Sequence, residues 1–209
     1  MKIEKPKRFE HLLESEPIYA LESKAEYKDR LFENVTLDLQ EVRKASFERV
    51  VFRHVTLLES SLEHCEFTDV KFEHCDFSNV NLQDTFMHRT EWKNCKLVGA
   101  DFSGSRWQNV SVVQSIGDYS NFRFAHLKQV QYAECSLIGA DFAYLKLQKI
   151  GFNACNLDQV TFTGTAMRGL DLSDCEFDTL NLTLEDLTGC VIAPHQAATF
   201  AGLMGLIIK

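Results

Sequence analysis

Three prolines and ten glycines in 209 residues are too few for a chain built of linkers. Long apolar runs are missing as well. Nothing approaches the roughly 20 residues of a membrane span, and the N-terminal MKIEKPKRFEHLLESEPIYALESKAEYKDR holds no run of signal-peptide length. A cytoplasmic location is therefore expected. Without an export signal, seven cysteines, an odd number, read as reduced thiols rather than a disulfide framework. Positive charge is also short: 22 Lys and Arg stand against 30 Asp and Glu, a formal charge of -8. Phosphate contacts need a positive surface, so direct nucleic-acid binding is disfavoured and a tight partner is expected to be basic. Against these absences, a hydrophobic content of 45% is enough to bury a core.

What the chain does have is a period. EHCEFTDVKFEHCDF, residues 63 to 77, states one phrase twice at a ten-residue spacing, and its two His-Cys pairs read either as half of a metal site or as two turns of a repeat. Every fifth residue from Phe32 to Ile192 settles the choice. Of 33 such positions 32 are large and apolar, Gly117 being the exception, where random placement at 45% would give about 15. Twelve of the sixteen phenylalanines lie in this register. Two residues earlier in each unit runs a second register of Val, Ala, Cys, Ser and Thr with a few Leu and Ile, broken by Arg30, Gln40 and Glu185, and all seven cysteines fall in it. The cysteines thus occupy a small inward slot, where a free thiol behaves as a compact hydrophobe. A period of five fits neither the 3.6 of a helix nor the 2 of a strand. It fits a chain that turns a corner every five residues and stacks into a solenoid.

The phrases ADFSG, CNLDQ and CEFDT, sustained from about residue 30 to residue 192, resemble those of the pentapeptide-repeat proteins. The resemblance implies an all-β solenoid, a right-handed quadrilateral β-helix of about eight coils with four pentapeptides to a coil. At about 4.8 Å per strand spacing such a rod is roughly 39 Å long. Residues 20 apart then stack on one face, so Cys75, Cys95, Cys135, Cys155 and Cys175 form a ladder interrupted by Ser115, and Cys65 lies on the opposite face. His64 and His74 point outward on opposite faces and share no metal ion, while His54 and His74 stack one coil apart.

Three segments follow. Residues 1–29 lack the register, mix six basic with seven acidic residues, and are expected to form a cap or arm. Residues 30–192 form the β-helix. Residues 193–209 begin with Pro194, suited to a first helical position, so a short C-terminal helix over His195 to Leu203 is expected to cover the last coil. Phe200, Leu203, Met204, Leu206, Ile207 and Ile208 exceed what a small cap buries, and are read as a dimer interface. Gly117 predicts a kink, a seam or a tolerated irregularity.

No nucleophile elbow, phosphate loop or zinc-ligand spacing is present, and neither an enzyme nor a cofactor is expected. Charge is concentrated instead. Residues 171–190 carry Asp171, Asp174, Glu176, Asp178, Glu185 and Asp186 with no Lys or Arg, a net of -6, with Glu185 in an inward slot. A rod with this acidic coil and the apolar tail GLIIK resembles the quinolone-resistance, Qnr-type branch of the family, and lies closer to its loopless members because the register has no insertion. That resemblance implies a homodimer that mimics duplex DNA, binds DNA gyrase or topoisomerase IV through Asp171 to Asp186, and relieves inhibitor-trapped complexes. The competing readings are a general scaffold for another cytoplasmic protein and a structural rod without a fixed partner. Arg43, Lys44, Arg49 and Arg53 make the upper coils poor imitators of DNA.

Overall fold

The computed structural model of the protein describes residues 2–7, 9, 13–14, 18–203 and 206–207. Its strands are β1 (Glu26–Thr36), β2 (Glu41–Arg43), β3 (Ser46–Thr56), β4 (Ser61–Glu63), β5 (Glu66–Glu73), β6 (Phe86–Lys93), β7 (Arg106–Val113), β8 (His126–Ala133), β9 (Lys146–Asn153), β10 (Val160–Thr161) and β11 (Leu180–Asn181). All pairing between them is parallel. The long strands form one sheet in the order β1-β3-β5-β6-β7-β8-β9, with Phe52 opposite Phe72 and Phe72 opposite Trp92, so that each residue faces the one 20 further on. The chain is a parallel β-solenoid of about eight turns and four walls. The first wall is centred on Tyr27, Phe47 and Phe67, the second on Phe32, Phe52 and Phe72, the third on Leu37, Leu57 and Phe77, and the fourth on Val42, Leu62 and Leu82. The long strands make the first two walls. Shorter bridges and turns, such as Asp76 to Lys96 and Asn81 to Asp101, make the third and fourth.

The corners explain the period. Two residues after the large centres from Tyr27 to Met167 the backbone enters the left-handed region, as at His54 (φ 51), His74 (φ 55) and Asn94 (φ 54). That conformation turns the chain without breaking the ladder, because the corner N–H still donates to the next coil: His74 to the Lys93 carbonyl at 3.0 Å. Polar residues and glycine tolerate it best, which is why Asn, Asp, His and Gly recur there.

Inside, the large centres form ring ladders. Phe47 and Phe67 stack at 4.9 Å, Phe102 and Phe122 at 4.8 Å, and Phe122 and Phe142 at 4.8 Å, matching the strand spacing. Adjacent walls meet edge to face, as Phe72 meets Phe77 at 5.3 Å and 82°. Both geometries suit the aromatic quadrupole, each pair adding ~1 kcal/mol to simple burial. The small slot has a chemical reason too. Cys75 Sγ donates to the Phe52 carbonyl at 3.3 Å, Cys95 Sγ to that of Phe72 at 3.4 Å, and Thr165 Oγ1 to that of Phe142 at 2.7 Å. A compact side chain with one donor fits the slot, so Cys, Ser and Thr recur in it. All seven cysteines are free, six of them buried. Gly117 introduces no break: its N–H donates to the Ser136 carbonyl at 2.7 Å, and Leu137 fills the space a side chain would take.

The two ends depart from the period in different ways. The first strand begins at Glu26, within the segment assigned to the N-terminal arm, and Tyr27 stacks on Phe47 at 5.0 Å. Residues 2–7 do not cap the end. They run along the rod: the Lys7 N–H donates to Asp69 Oδ1 at 3.1 Å, the Glu4 N–H to Asn109 Oδ1 at 3.2 Å, and Gln129 Nε2 to the Lys2 carbonyl at 3.3 Å. At the far end a 3-10 turn (Pro194–Gln196) leads into α1 (Ala197–Leu203). The buried Gln196 amide donates to the Leu172 and Cys175 carbonyls, both at 2.8 Å, satisfying two acceptors of the last coil.

Two predictions follow from the core. Tyr132 is fully buried, stacked on Phe152 at 5.1 Å, and its hydroxyl has no hydrogen-bond partner. Tyr132→Phe removes that unpaired group at almost constant volume, and is expected to stabilise by ~1 kcal/mol, a melting temperature about 2–4 °C higher by calorimetry. Burial pushes the Cys65 and Cys175 thiols up to about 11, so they are neutral at pH 7. Cys75 and Cys135 are instead drawn down by hydrogen bonds from Cys95 and Cys155, but burial shields all six, so a disulfide reagent should leave the six buried thiols of the native protein untouched over minutes and modify all seven in guanidinium.

Candidate interaction surface

Four walls stacked at one register sort the surface charge by column. On the third wall the outward positions hold Asp38, Glu59, Asp76, Asp118, Asp158, Glu176 and Asp178 against Lys96 alone, seven acids less one base, a net of -6. Among the described residues only Asp76 has a cation partner there, Lys96 at 3.6 Å. Asp38, Asp118 and Asp158 are held by neutral donors. Asp118 accepts the Ile138 N–H at 2.9 Å, and Asp158 accepts the Thr179 N–H at 2.9 Å and that of Asp178 at 3.1 Å. The Thr179 N–H, helped by the Gln159 amide, holds the Asp158 carboxyl below its ordinary value. The wall thus carries a charge of one sign that cations cancel little, with Asp158 and Asp178 in adjacent coils and Asp118 two coils away from Asp158.

The acidic coil continues this wall around the end of the rod. Asp171 and Asp174 stand on the second wall and Glu176 and Asp178 on the third, all exposed. The Ser173 hydroxyl and N–H donate to Asp171 at 2.6 and 3.0 Å and keep its carboxyl below the ordinary range. Glu185 does not take the inward slot its register assigns. It is exposed, because the chain turns early at Thr183, where the Thr183 N–H and hydroxyl donate to Asp186 Oδ2 at 3.1 and 2.9 Å. With no further repeat coil to pack against, the last one turns its charge outward.

The apolar end divides into two groups. Phe200 is buried within the chain, 5.8 Å from the Phe177 ring, and belongs to the cap rather than to an outer surface. Leu206 and Ile207 are exposed, at 58% and 88%, as are Leu184 and Val191 of the last coil. Met204, Ile208 and the side chain of Leu203 lie outside the described residues. His54 and His74 stack face to face at 5.0 Å. Among the described residues no cluster of three or more His, Cys, Asp or Glu side chains converges on a point that could hold a metal ion, and no helix is long and apolar enough to cross a membrane.

Family models agree with this architecture. Pentapeptide repeats in eight copies match residues 45–84, and the pentapeptide repeat region matches residues 85–162. An uncharacterized Bacillus subtilis (strain 168) protein, YisX, is 34% identical over 178 residues, 85% of this chain and 84% of that protein. This chain belongs to the pentapeptide-repeat family. Among solved pentapeptide-repeat structures it is similar to QnrB1, a plasmid-mediated fluoroquinolone resistance protein, at 16% identity and a TM-score of 0.38, covering 88% of this chain and 99% of that one. It is also similar to HetL of the cyanobacterium Nostoc sp. strain PCC 7120, involved in heterocyst differentiation regulation, at 14% identity and a TM-score of 0.29, covering 82% and 91%.

The first wall carries charge that the per-coil sum does not reveal. Asp69, 3% exposed, forms a paired fork with Arg89, Oδ1 to Nε and Oδ2 to Nη2 both at 2.6 Å, and also holds the arm through Lys7. Burial pushes the Asp69 carboxyl up, but the Arg89 and Lys7 bonds outweigh it and the value lies below 3.8. Its contribution is therefore complete above pH 3.8 and is lost as pH falls below it. Asp69→Asn breaks a largely buried pair. It is expected to cost ~3 kcal/mol at pH 7 and to flatten the acid limb of stability, measured by denaturant unfolding at pH 7 and at about pH 3.

Proposed function

We propose that this pentapeptide-repeat scaffold acts by binding, not catalysis, and that it presents the third wall and the acidic terminal coil as an imitation of duplex DNA to DNA gyrase or topoisomerase IV. The observation that carries this reading is the row of third-wall carboxylates without cation partners, from Asp118 to Asp178, continued by the exposed Asp171 and Asp174. A basic, DNA-binding protein groove is the complementary surface. Asp158, Glu176 and Asp178 stand in adjacent coils, about 4.8 Å apart along the rod, and act together within a Debye length of about 8 Å.

Dimerisation through the C-terminal end belongs to the same reading. Leu184 and Val191 of the last coil and Leu206 and Ile207 beyond it are exposed, and exposed apolar side chains at one end of a rod are the kind of surface that two-fold symmetry makes self-complementary. The pair would set two acidic coils at the middle of a rod of roughly 80 Å, twice the length given by strand spacing. Phe200 contributes to folding rather than to this seam, so Ile207→Asp is the substitution that separates interface from cap. It should leave the circular dichroism unchanged and halve the mass by light scattering.

The function is tested by DNA supercoiling with purified gyrase, with and without a fluoroquinolone. Rising amounts of the protein should relieve the drug or, at higher dose, inhibit supercoiling. The combined variant Asp171→Asn, Asp174→Asn, Glu176→Gln, Asp178→Asn should raise the required concentration about tenfold. Binding that ignores these charges would instead favour a scaffold for another partner, and no effect of the wild-type protein in either arm would rule out the topoisomerase.

A further inference from the structure

Several cations of the upper coils are neutralised: Arg49 by Asp29 at 2.6 Å, Arg53 by Glu73 at 2.8 Å, and Arg89 by Asp69 at 2.6 Å; on the lower fourth wall Arg123 pairs with Asp141 at 3.0 Å. Further along the first wall, from the coil of Trp107 to that of Met167, stand Arg106, Lys128, Lys146, Lys149 and Arg168, all exposed and without an ion-pair partner among the described residues. No Asp or Glu of the solenoid itself occupies an outward position of the first wall between residues 86 and 169; the arm lays Lys2 and Glu4 along its far edge, beside Asn109, Gln129 and Lys149. His126 stands between Arg106 and Lys146, and burial, then these two cations, hold it below its ordinary value. The acidic third wall lies on the opposite side of the prism. A whole-chain charge of -8 therefore conceals a positive strip.

Along one edge of this strip lies a column of corner residues: Asp84, Gly104, Phe124, Tyr144 and Gly164. Phe124 and Tyr144 are exposed and stack at 5.3 Å and 12°, with the Arg123 guanidinium over both rings at 5.5 and 5.4 Å. Each corner side chain leans over the corner of the following coil: Asp84 over Gly104, Tyr119 over Gly139, Tyr144 over Gly164. The side chain that would lean over Phe124 belongs to Gly104, which has none. One face of the Phe124 ring is thus not stacked by a side chain, and the neighbouring Gly104 lines a groove of about 730 Å³ together with the cations Lys44 and Arg106, the carboxylates Glu66 and Asp84, and Phe86.

We propose that this edge binds single-stranded nucleic acid, with phosphates along the first-wall cations and a base stacked on the open face of Phe124. A positive track beside a flat ring with an unstacked face is the pairing that single strands require, because it engages the backbone and the π-face of an unpaired base together. A duplex offers the charge but keeps its bases stacked. An acidic peptide offers charge without a planar base. The proposal goes beyond the topoisomerase reading and stands or falls apart from it, since it uses the opposite wall.

The test is fluorescence anisotropy of a labelled oligothymidine of about 15 nucleotides, titrated with the full chain across ~50 to ~200 mM salt. A duplex of the same length and polyglutamate serve as competitors. Wild-type protein should bind the single strand, and neither competitor should displace it at equal charge. Phe124→Ala should weaken binding about tenfold with the salt slope unchanged. Lys128→Glu with Lys146→Glu should weaken it further and lower the slope by between about one and two. All three side chains are exposed, so circular dichroism should be unaltered. The proposal is overturned by absence of binding at ~50 mM salt, by equal competition from duplex or polyglutamate, or by wild-type affinity in either variant.

Discussion

Every feature of this molecule depends on one constraint, the parallel stacking of each residue on the one 20 positions away. The backbone ladder sets the pitch, and the pitch then selects the side chains. Flat rings repeat comfortably at 4.8 or 4.9 Å, as Phe102, Phe122 and Phe142 do, so the large slot favours phenylalanine. The carbonyl 23 residues back needs a short donor, so the small slot favours cysteine, serine and threonine. Left-handed corners join one wall to the next, and because their N–H groups stay in the ladder the turn sacrifices no hydrogen bond.

The same constraint governs the surface. A column of like side chains is a row at fixed spacing, so a preference at one position becomes a property of a wall. Carboxylates collect on the third wall and unpaired cations on the lower first wall, while the upper first wall and the second interleave both signs into ion pairs such as Arg49 with Asp29 and Arg53 with Glu73. A folded prism can therefore offer one sign to one partner and the other sign to another. The ends are different again. There the stack has no continuation, and Arg30, Gln40 and Glu185, the three residues that break the small register, all lie in the first or last coils. Arg30 pairs with Glu14 at 2.8 Å, Gln40 accepts the Leu21 N–H at 2.9 Å, and Glu185 turns outward.

The period, the cysteine slot, the His54–His74 stack and the short terminal helix were legible in the sequence because each is a consequence of one repeat that hydrophobicity displays directly. Tyr27 was legible too, sitting five residues before Phe32, but Arg30 in the small slot hid the first turn. The docking of Lys2, Glu4 and Lys7 along the rod left no trace. Backbone groups meeting Gln129, Asn109 and Asp69 impose no pattern on the arm's own side chains. Phe200 looked like surface because the need to cover Phe177 is a property of the last coil, not of the local sequence. The positive strip escaped because charge summed along the chain mixes four walls that the fold separates.

If coils rather than pentapeptides are the unit of stacking, deletions should show it. Removing residues 106–125 joins Ser105 to His126, sets Met87 against Leu127 and Trp92 against Tyr132, and keeps every wall in place. Removing residues 106–110 keeps the large and small slots filled but moves everything after it by one wall, so that across the junction the strand His126–Ala133 stacks on residues 101–105 and 111–113 instead of on the strand Arg106–Val113. The measurement is thermal unfolding of the two deletions beside the intact chain. Loss of one coil from a nearest-neighbour stack should leave a cooperative transition within about 10 °C of the parent, and the smaller deletion should lower it further or abolish it. Equal melting temperatures, or a better tolerated five-residue deletion, would contradict stacking by coils.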